Sequence, residues 1–273
     1  MTAGASLRAV GVITGWGEGV DALPADAARA AAGRSVIALE RPRLDGDRFR
    51  RATRECLLGV AAVHAVLARA GLEPADVAGE GTGLVYVTAA GYGASNRAFV
   101  EAVAAGTLHF PYTAPSAVPA EVAIEFGLTG SYAIFVGGAT TTLEALAHAV
   151  GLVERGESEQ ALVLAVETFV ESVDLFARGR WLLRRPLVEV AACALIGSGD
   201  GRLIVGPATA RVSALTAQVR RRAGETLAGE PMIALALGLE SGDDRLHVTG
   251  EWRGRRLSAE WASPLPASAR NGA

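Results

Sequence analysis

Short apolar runs closed by glycine alternate along this chain with stretches of helical periodicity, and no other feature limits its fold as strongly. A run of Val, Ile and Leu that is too short to span a membrane and is bounded by turn residues reads as a buried strand. Leu7–Thr14 is the first such run, ending at Gly15, Gly17 and Gly19. Gly83–Thr88 (GLVYVT), Tyr132–Val136, Gln160–Val166 (QALVLAV), Val190–Ile196 and Arg202–Val205 follow. Gly197, Gly199 and Gly201 separate the last two, a spacing that predicts a hairpin.

The intervening segments carry a different period. Arg51–Gly71 sets Leu57, Leu58, Ala61, Ala62, Ala65, Val66 and Ala68 on one helical face, with Gly71 where a C-terminal cap belongs. Further helices are expected over Ser95–Ala105, over Ala120–Phe126 before Gly127, and from Ala139 to a stop at Gly156. Residues 21–50 read as surface loop with one short helix. Strands and helices alternating in this order predict an α/β layered domain whose mixed sheet is covered on both faces. After about residue 208 the rhythm changes. Val212–Arg222 reads as a helix, and Met232–Glu240, Arg245–Trp252 and Arg255–Trp261 read as a small antiparallel unit. The expected division is 1–207, a C-terminal extension 208–261, and a disordered tail 262–273.

Half of the 273 residues are apolar, enough for one sizeable core. The formal charge is -3, and its 26 basic residues, all Arg, are interspersed with acids. No basic stripe tracks a phosphate backbone, so nucleic acid is not an expected partner. No leader-like start and no run of about 18 apolar residues is present, which predicts a cytoplasmic protein with no membrane span. Cys56 and Cys193 lie far apart without ligand spacing and read as buried apolar residues. No metal constellation and no cofactor motif stands out. Gly91-Tyr92-Gly93 lacks the rest of a dinucleotide fingerprint and reads as a turn.

One stretch, Ala114–Ala165, carries short features in a fixed order: Pro115-Ser116, the FGLTG turn at 126–130, a strand, the Gly137-Gly138 turn, a helix with Ala147-His148-Ala149, the ERGESEQ turn, and a strand ending at Glu167. In this it resembles the ketosynthase branch of the thiolase superfamily, with a looser likeness from about Arg8 to Val205. The resemblance implies a thiolase-like layered fold, here a single half of the usual pseudo-duplicated unit with a small β-rich C-terminal appendage. A lone half would leave one apolar packing surface uncovered.

Counted from FGLTG to His148, the family's nucleophilic cysteine position falls on Ala139. Ketosynthases load an acyl group on a thiolate whose pKa is lowered at a helix N-terminus, and alanine offers no nucleophile. Thr140, Thr141 and Thr142 follow, but an unassisted hydroxyl needs a strong base, so they read as groups serving the backbone of the first turn. The family's histidine and Gly-rich motifs are not found after residue 205, and a deletion near Arg184-Arg185-Pro186-Leu187 removes its Phe-Asp loop.

The resemblance therefore implies no catalytic residue, a relic pocket at Gly137, Gly138, Ala139, Thr140 and Thr141, and a non-catalytic subunit similar to chain length factors. It implies a dimer, with a catalytic ketosynthase or with itself, joined through the strand Tyr132–Val136. Phe110, Tyr112, Tyr132, Ile134 and Phe135 are tunnel or interface candidates, or ordinary core. Arg180, Arg184 and Arg185 could dock an acidic acyl carrier protein, or be solvated. His64 and His148 read as packed, hydrogen-bonded core residues. Two other readings stay open: acyl-transfer or decarboxylase chemistry on backbone amides around Gly137–Thr140, and an acyl-binding homodimer.

Overall fold

A computed structural model describes residues 4–44, 46–50, 52–102, 112–179, 185–208 and 212–262. The N-terminal part runs β1 (Ala5–Thr14), β2 (Gly17–Glu18), α1 (Ala27–Ala30), β3 (Val36–Ile37), α2 (Arg54–Ala70), β4 (Thr82–Thr88), α3 (Gly93–Glu101), α4 (Ala117–Phe126) and β5 (Tyr132–Val136). It continues through α5 (Ala139–Glu154), β6 (Gln160–Glu167), α6 (Phe169–Gly179), β7 (Leu187–Val188), β8 (Val190–Ser198) and β9 (Arg202–Pro207). The chain closes with α7 (Ala214–Arg222), α8 (Glu230–Glu240), β10 (Arg245–Trp252) and β11 (Arg255–Ala262).

The main sheet has the order β2-β1-β8-β6-β4-β5. β4 is parallel to β5 and β6, whereas β8 is antiparallel to both β6 and β1. The C-terminal ends of β1, β4, β5 and β6 therefore meet the start of β8 along one edge of the sheet. Buried on both faces, β4, β6 and β8 need the continuous apolar runs seen in the sequence.

Helix α2 covers one face together with α4, packing Leu57, Leu58 and Val63 against Leu84, Leu162 and Leu195. Its ends follow from residue type: the Thr53 hydroxyl accepts the Cys56 N–H, and Gly71 takes φ 66° to end the helix. Gly11 is where α2 crosses β1, and a methyl group there would meet the Ala65 carbonyl carbon at 2.7 Å. Alternate residues of the same strands, Val85, Val163 and Ala194, face α5 and α8 on the other side.

Three sequence expectations change here. Val190–Ile196 and Arg202–Val205 do not form a hairpin, because both edges of β8 are occupied by β1 and β6. The chain leaves through Gly199–Gly201, held where Ser6 Oγ accepts the Gly201 N–H at 3.0 Å, and β9 pairs with β11 instead. Met232–Glu240 is not part of an antiparallel unit but lies in helix α8, buried from Met232 to Leu237. Ala and Leu favour the helix, Pro231 suits its first turn, and an all-round apolar surface marks a helix enclosed in a core. The third concerns the surface a half-unit would leave bare: it is covered by the sheet β10-β11-β9, whose Leu246, Val248, Ala259 and Trp261 join the α5 and α8 core.

The outer face of that small sheet is polar, with His247 opposite Glu260 and with Arg256 and Glu251 exposed, so it needs no further layer. Ile204, 53 % exposed, is its large apolar exception. The core thus draws on residues from both sides of position 208. Of the tail expected over 262–273, all but Ala262 lies outside the described residues. No helix among the described residues is long and apolar enough to cross a membrane.

Candidate functional site

The loops at the shared edge of the main sheet converge on the start of α5. β5 leads into Gly137, whose N–H donates to the Thr88 carbonyl at 2.9 Å and keeps the turn in line with β4. Gly138 then caps α5 without a side-chain hydrogen bond, leaving Ala139 as the first helical residue, 3 % exposed. Thr140 and Thr142 are buried beside it. The Thr142 hydroxyl donates to the Ala228 carbonyl at 2.7 Å, so it serves the 3-10 turn Leu227–Gly229 and not the first turn of its own helix. Gly137, Gly138, Ala139, Thr140 and Thr141 thus form one contiguous bend.

A residue from the far end of the chain closes this bend. The Trp252 ring lies on Gly138, so close that any Cβ at that glycine would enter the indole. Two positions earlier on β10, a Cβ on Gly250 would stand 2.9 Å from the Ala139 carbonyl and 3.0 Å from the Thr140 nitrogen. What remains open over Ala139 is a cavity of about 210 Å³, bounded by Leu227, Trp252 and charged groups. Arg220 reaches Glu230 with two bonds of 2.7 and 3.0 Å, and Arg185 reaches Glu225 at 3.0 Å. Burial raises the Glu230 carboxyl above its ordinary range, and the Arg220 hydrogen bond pulls it partly back. Beside the cavity, Trp252 shares an apolar cluster with Ala89, Leu187, Leu227, Phe169 and Leu175.

Two buried carboxylates at the same edge escaped the sequence reading as site residues. Glu167, 2 % exposed at the end of β6, accepts the Ala89 N–H at 2.5 Å. Burial pushes it up to about 8, against the pull of the Ala89 and Ala228 amides. Glu189, before β8, accepts the N–H groups of Leu39 and Phe169, each at 2.7 Å, and the Arg54 guanidinium. The available signal was an acid directly abutting a fully apolar run, as in QALVLAVE and EVAACALI.

Both cysteines lie away from the bend, Cys56 in α2 and Cys193 in the middle of β8, and both are buried free thiols. Burial pushes Cys56 up to about 11 and Cys193 further, the opposite of what a nucleophile requires. His64 is exposed on α2 with its ring 4.9 Å from that of Phe126, and His148 is half-buried 5.5 Å from the Phe135 ring. Neither is the enclosed core histidine expected from sequence. No group of three or more His, Cys, Asp or Glu among the described residues could hold a metal ion.

Of the tunnel or interface candidates, Tyr132, Ile134 and Phe135 lie on β5, the outermost strand of the main sheet. Tyr132 is 49 % exposed and Val136 59 %. Ile134 packs toward α2 and α4, Phe135 toward α5. Tyr112 joins the α2 side and does not line the cavity over Ala139. Arg185 lines that cavity, while Phe110, Arg180 and Arg184 lie outside the described residues.

The sequence profile described as Beta-ketoacyl synthase, N-terminal domain, matches residues 25–194. No curated protein matches the chain. Among solved structures, the ishigamide ketosynthase/chain length factor aligns at 15% identity and a TM-score of 0.69, covering 96% of this chain and 99% of that one. The AntDE:AntF structure, a type II polyketide synthase acyl-carrier protein in complex with its ketosynthase bound to the hexaketide, aligns at 14% and 0.74, covering 96% and 100%. A β-ketoacyl synthase from Burkholderia phymatum STM815 aligns at 12% and 0.67, covering 96% and 99%. At such identities the likeness is one of fold.

Proposed function

The chain belongs to the family of β-ketoacyl synthase N-terminal domains, and from that premise we propose that it is a non-catalytic ketosynthase-like subunit in polyketide or fatty-acid-type biosynthesis. The observation that carries this reading is Ala139 at the head of α5, where the family's chemistry calls for a thiolate. A methyl group can neither attack a thioester nor hold an acyl intermediate. The helix start that would lower a thiol's pKa is intact, but nothing on it can ionise.

Partnership follows from the same topology. β5 ends the main sheet with one edge unpaired within the described chain, flanked by exposed Tyr132 and Val136. Main-chain hydrogen bonds along such an edge would extend the sheet into a second subunit, with apolar side chains sealing it. The partner is a catalytic ketosynthase, or a second copy of this chain, and the role is to stabilise the active subunit or to bound the growing acyl chain, as chain length factors do. Arg180, Arg184 and Arg185 are carried over as a docking surface for an acidic acyl carrier protein, in a cytoplasmic assembly without cofactor or metal. Chemistry on the amides near Gly137–Thr140 has less support, because the Gly250 backbone lies directly on Ala139 and Thr140.

The test joins two measurements. Native mass spectrometry of this chain co-expressed with a catalytic type II ketosynthase should give a one-to-one complex. Incubation with a mass-tagged octanoyl thioester should label the partner's cysteine and leave this chain unmodified; a covalent acyl adduct here would overturn the proposal.

A further inference from the structure

We infer that Trp252 is a built-in stopper: its indole fills the approach to the start of α5 and shuts out aliphatic acyl groups that the surrounding apolar walls would otherwise accept. The inference rests on reading the Gly137–Ala139 bend as a former acyl site, and it adds that the site is closed by the chain itself as well as lacking a nucleophile.

Three independent features support the stopper. The first is contact, since the ring is seated on Gly138, which lacks the Cβ that would exclude it. Such a fit joins two segments far apart in sequence, a tripeptide bend and a strand end. The second is rigidity. Trp252 pairs with Arg255 across a two-residue turn in which Arg253 and Gly254 have φ of 48° and 81°, the tight geometry that matches the twist of paired strands. Arg255 also bonds Glu144 of α5 at 2.8 Å, and the Arg253 guanidinium lies 5.7 Å from the indole centroid. The hairpin tip is therefore fastened to the helix whose start it covers.

The third feature is the chemistry of what the indole displaces. Ala89, Leu187, Leu227, Phe169 and Leu175 make an apolar wall on one side of it, suited to a hydrocarbon chain, while the Arg220–Glu230 and Arg185–Glu225 pairs stand on the cavity side. Deleting the ring would join its volume to the existing 210 Å³ cavity.

Ala139→Cys places a reporter thiol at the covered position, and the two native thiols are buried, so their silence toward iodoacetamide reports an intact fold. With Trp252 present, the new thiol should react slowly. Adding Trp252→Ala, or Trp252→Leu where a milder change is needed for folding, should raise the labelling rate ~10-fold or more, since thiol reactivity follows access. A separate arm titrates octanoyl-pantetheine amide into the Trp252→Ala protein, which should bind it while the natural chain does not. Fast labelling with Trp252 in place, or no acceleration on its removal, overturns the stopper whatever the amide does. Acceleration without amide binding supports the stopper and overturns the acyl reading of the site.

Discussion

The Arg54 guanidinium and the Glu189 carboxylate meet where α2 begins and β8 begins, and together they bind three loops at the site's edge. Glu189 accepts the Leu39 and Phe169 amides, while Arg54 also donates to the Leu39 carbonyl at 2.6 Å. Glu189 is 2 % exposed, so its charge is stabilised by these donors and not by water.

Removing one partner should therefore cost more than removing both. Arg54→Met leaves a buried carboxylate without its counter-charge, and urea unfolding should show a loss of about 3–5 kcal/mol. Adding Glu189→Leu to Arg54→Met should restore part of that loss, because no uncompensated charge remains. An equal or larger loss in the double variant would mean that the carboxylate's bonds to Leu39 and Phe169 matter more than the ion pair.

The crossing of β10 over α5 makes a second prediction. At Gly250 any side chain would press on the Ala139 carbonyl and the Thr140 nitrogen, both backbone groups that cannot rotate away. Gly250→Val should lower stability by about 1–3 kcal/mol, the usual cost of overpacking, measured as a fall in melting temperature. The same substitution at Gly206, where an added Cβ meets nothing within 4 Å, should be far milder.

What could be read from sequence divides along a physical line. β4, β6 and β8 were legible because strands buried on both faces must be apolar throughout, and α2 because its apolar face and Gly71 mark it locally. The pairing of β9 was not, since it depends on β1 and β6 having already filled both sides of β8. Nor was α8, because periodicity cannot separate helix from strand when Met232, Ile233, Ala234 and Leu235 are all apolar. At the site, Gly137-Gly138-Ala139 stood out as a motif. Trp252 did not, since a tryptophan at a strand end carries no local mark of the distant glycine it covers. Glu167 and Glu189 abut apolar runs, but their burial depends on the Ala89 and Leu39 amides, brought in from loops distant in sequence.

The edge of β5 that no strand among the described residues pairs with leads to a third prediction. Val136 is 59 % exposed at its end, so Val136→Lys should leave the unfolding free energy of the isolated chain within about 0.5 kcal/mol of its natural value, read by urea unfolding. A charge on an exposed edge disfavours strand addition, so the same variant should weaken the complex with the ketosynthase, or the homodimer, by about tenfold or more in native mass spectrometry or size-exclusion titration. An unchanged complex would place the interface elsewhere.

Glu167 gives the chain a pH dependence of defined sign. Its folded pKa of about 8 lies above the ordinary 4.5, so between those values the native state holds a proton that the unfolded chain has released. Stability from this group is complete below about pH 4.5 and is lost as pH rises toward 8, because the unfolded chain gains the free energy of ionising the carboxyl while burial keeps the native one protonated. The loss across that window amounts to several kcal/mol at roughly 1.4 kcal/mol per pH unit. Glu167→Gln keeps a carbonyl oxygen to accept the Ala89 N–H but cannot ionise. Its urea midpoint should exceed that of the natural chain at pH 8 and converge with it at pH 5. If the variant and the natural chain lose stability in parallel from pH 5 to 8, Glu167 is ionised throughout, and the Ala89 and Ala228 amides outweigh its burial.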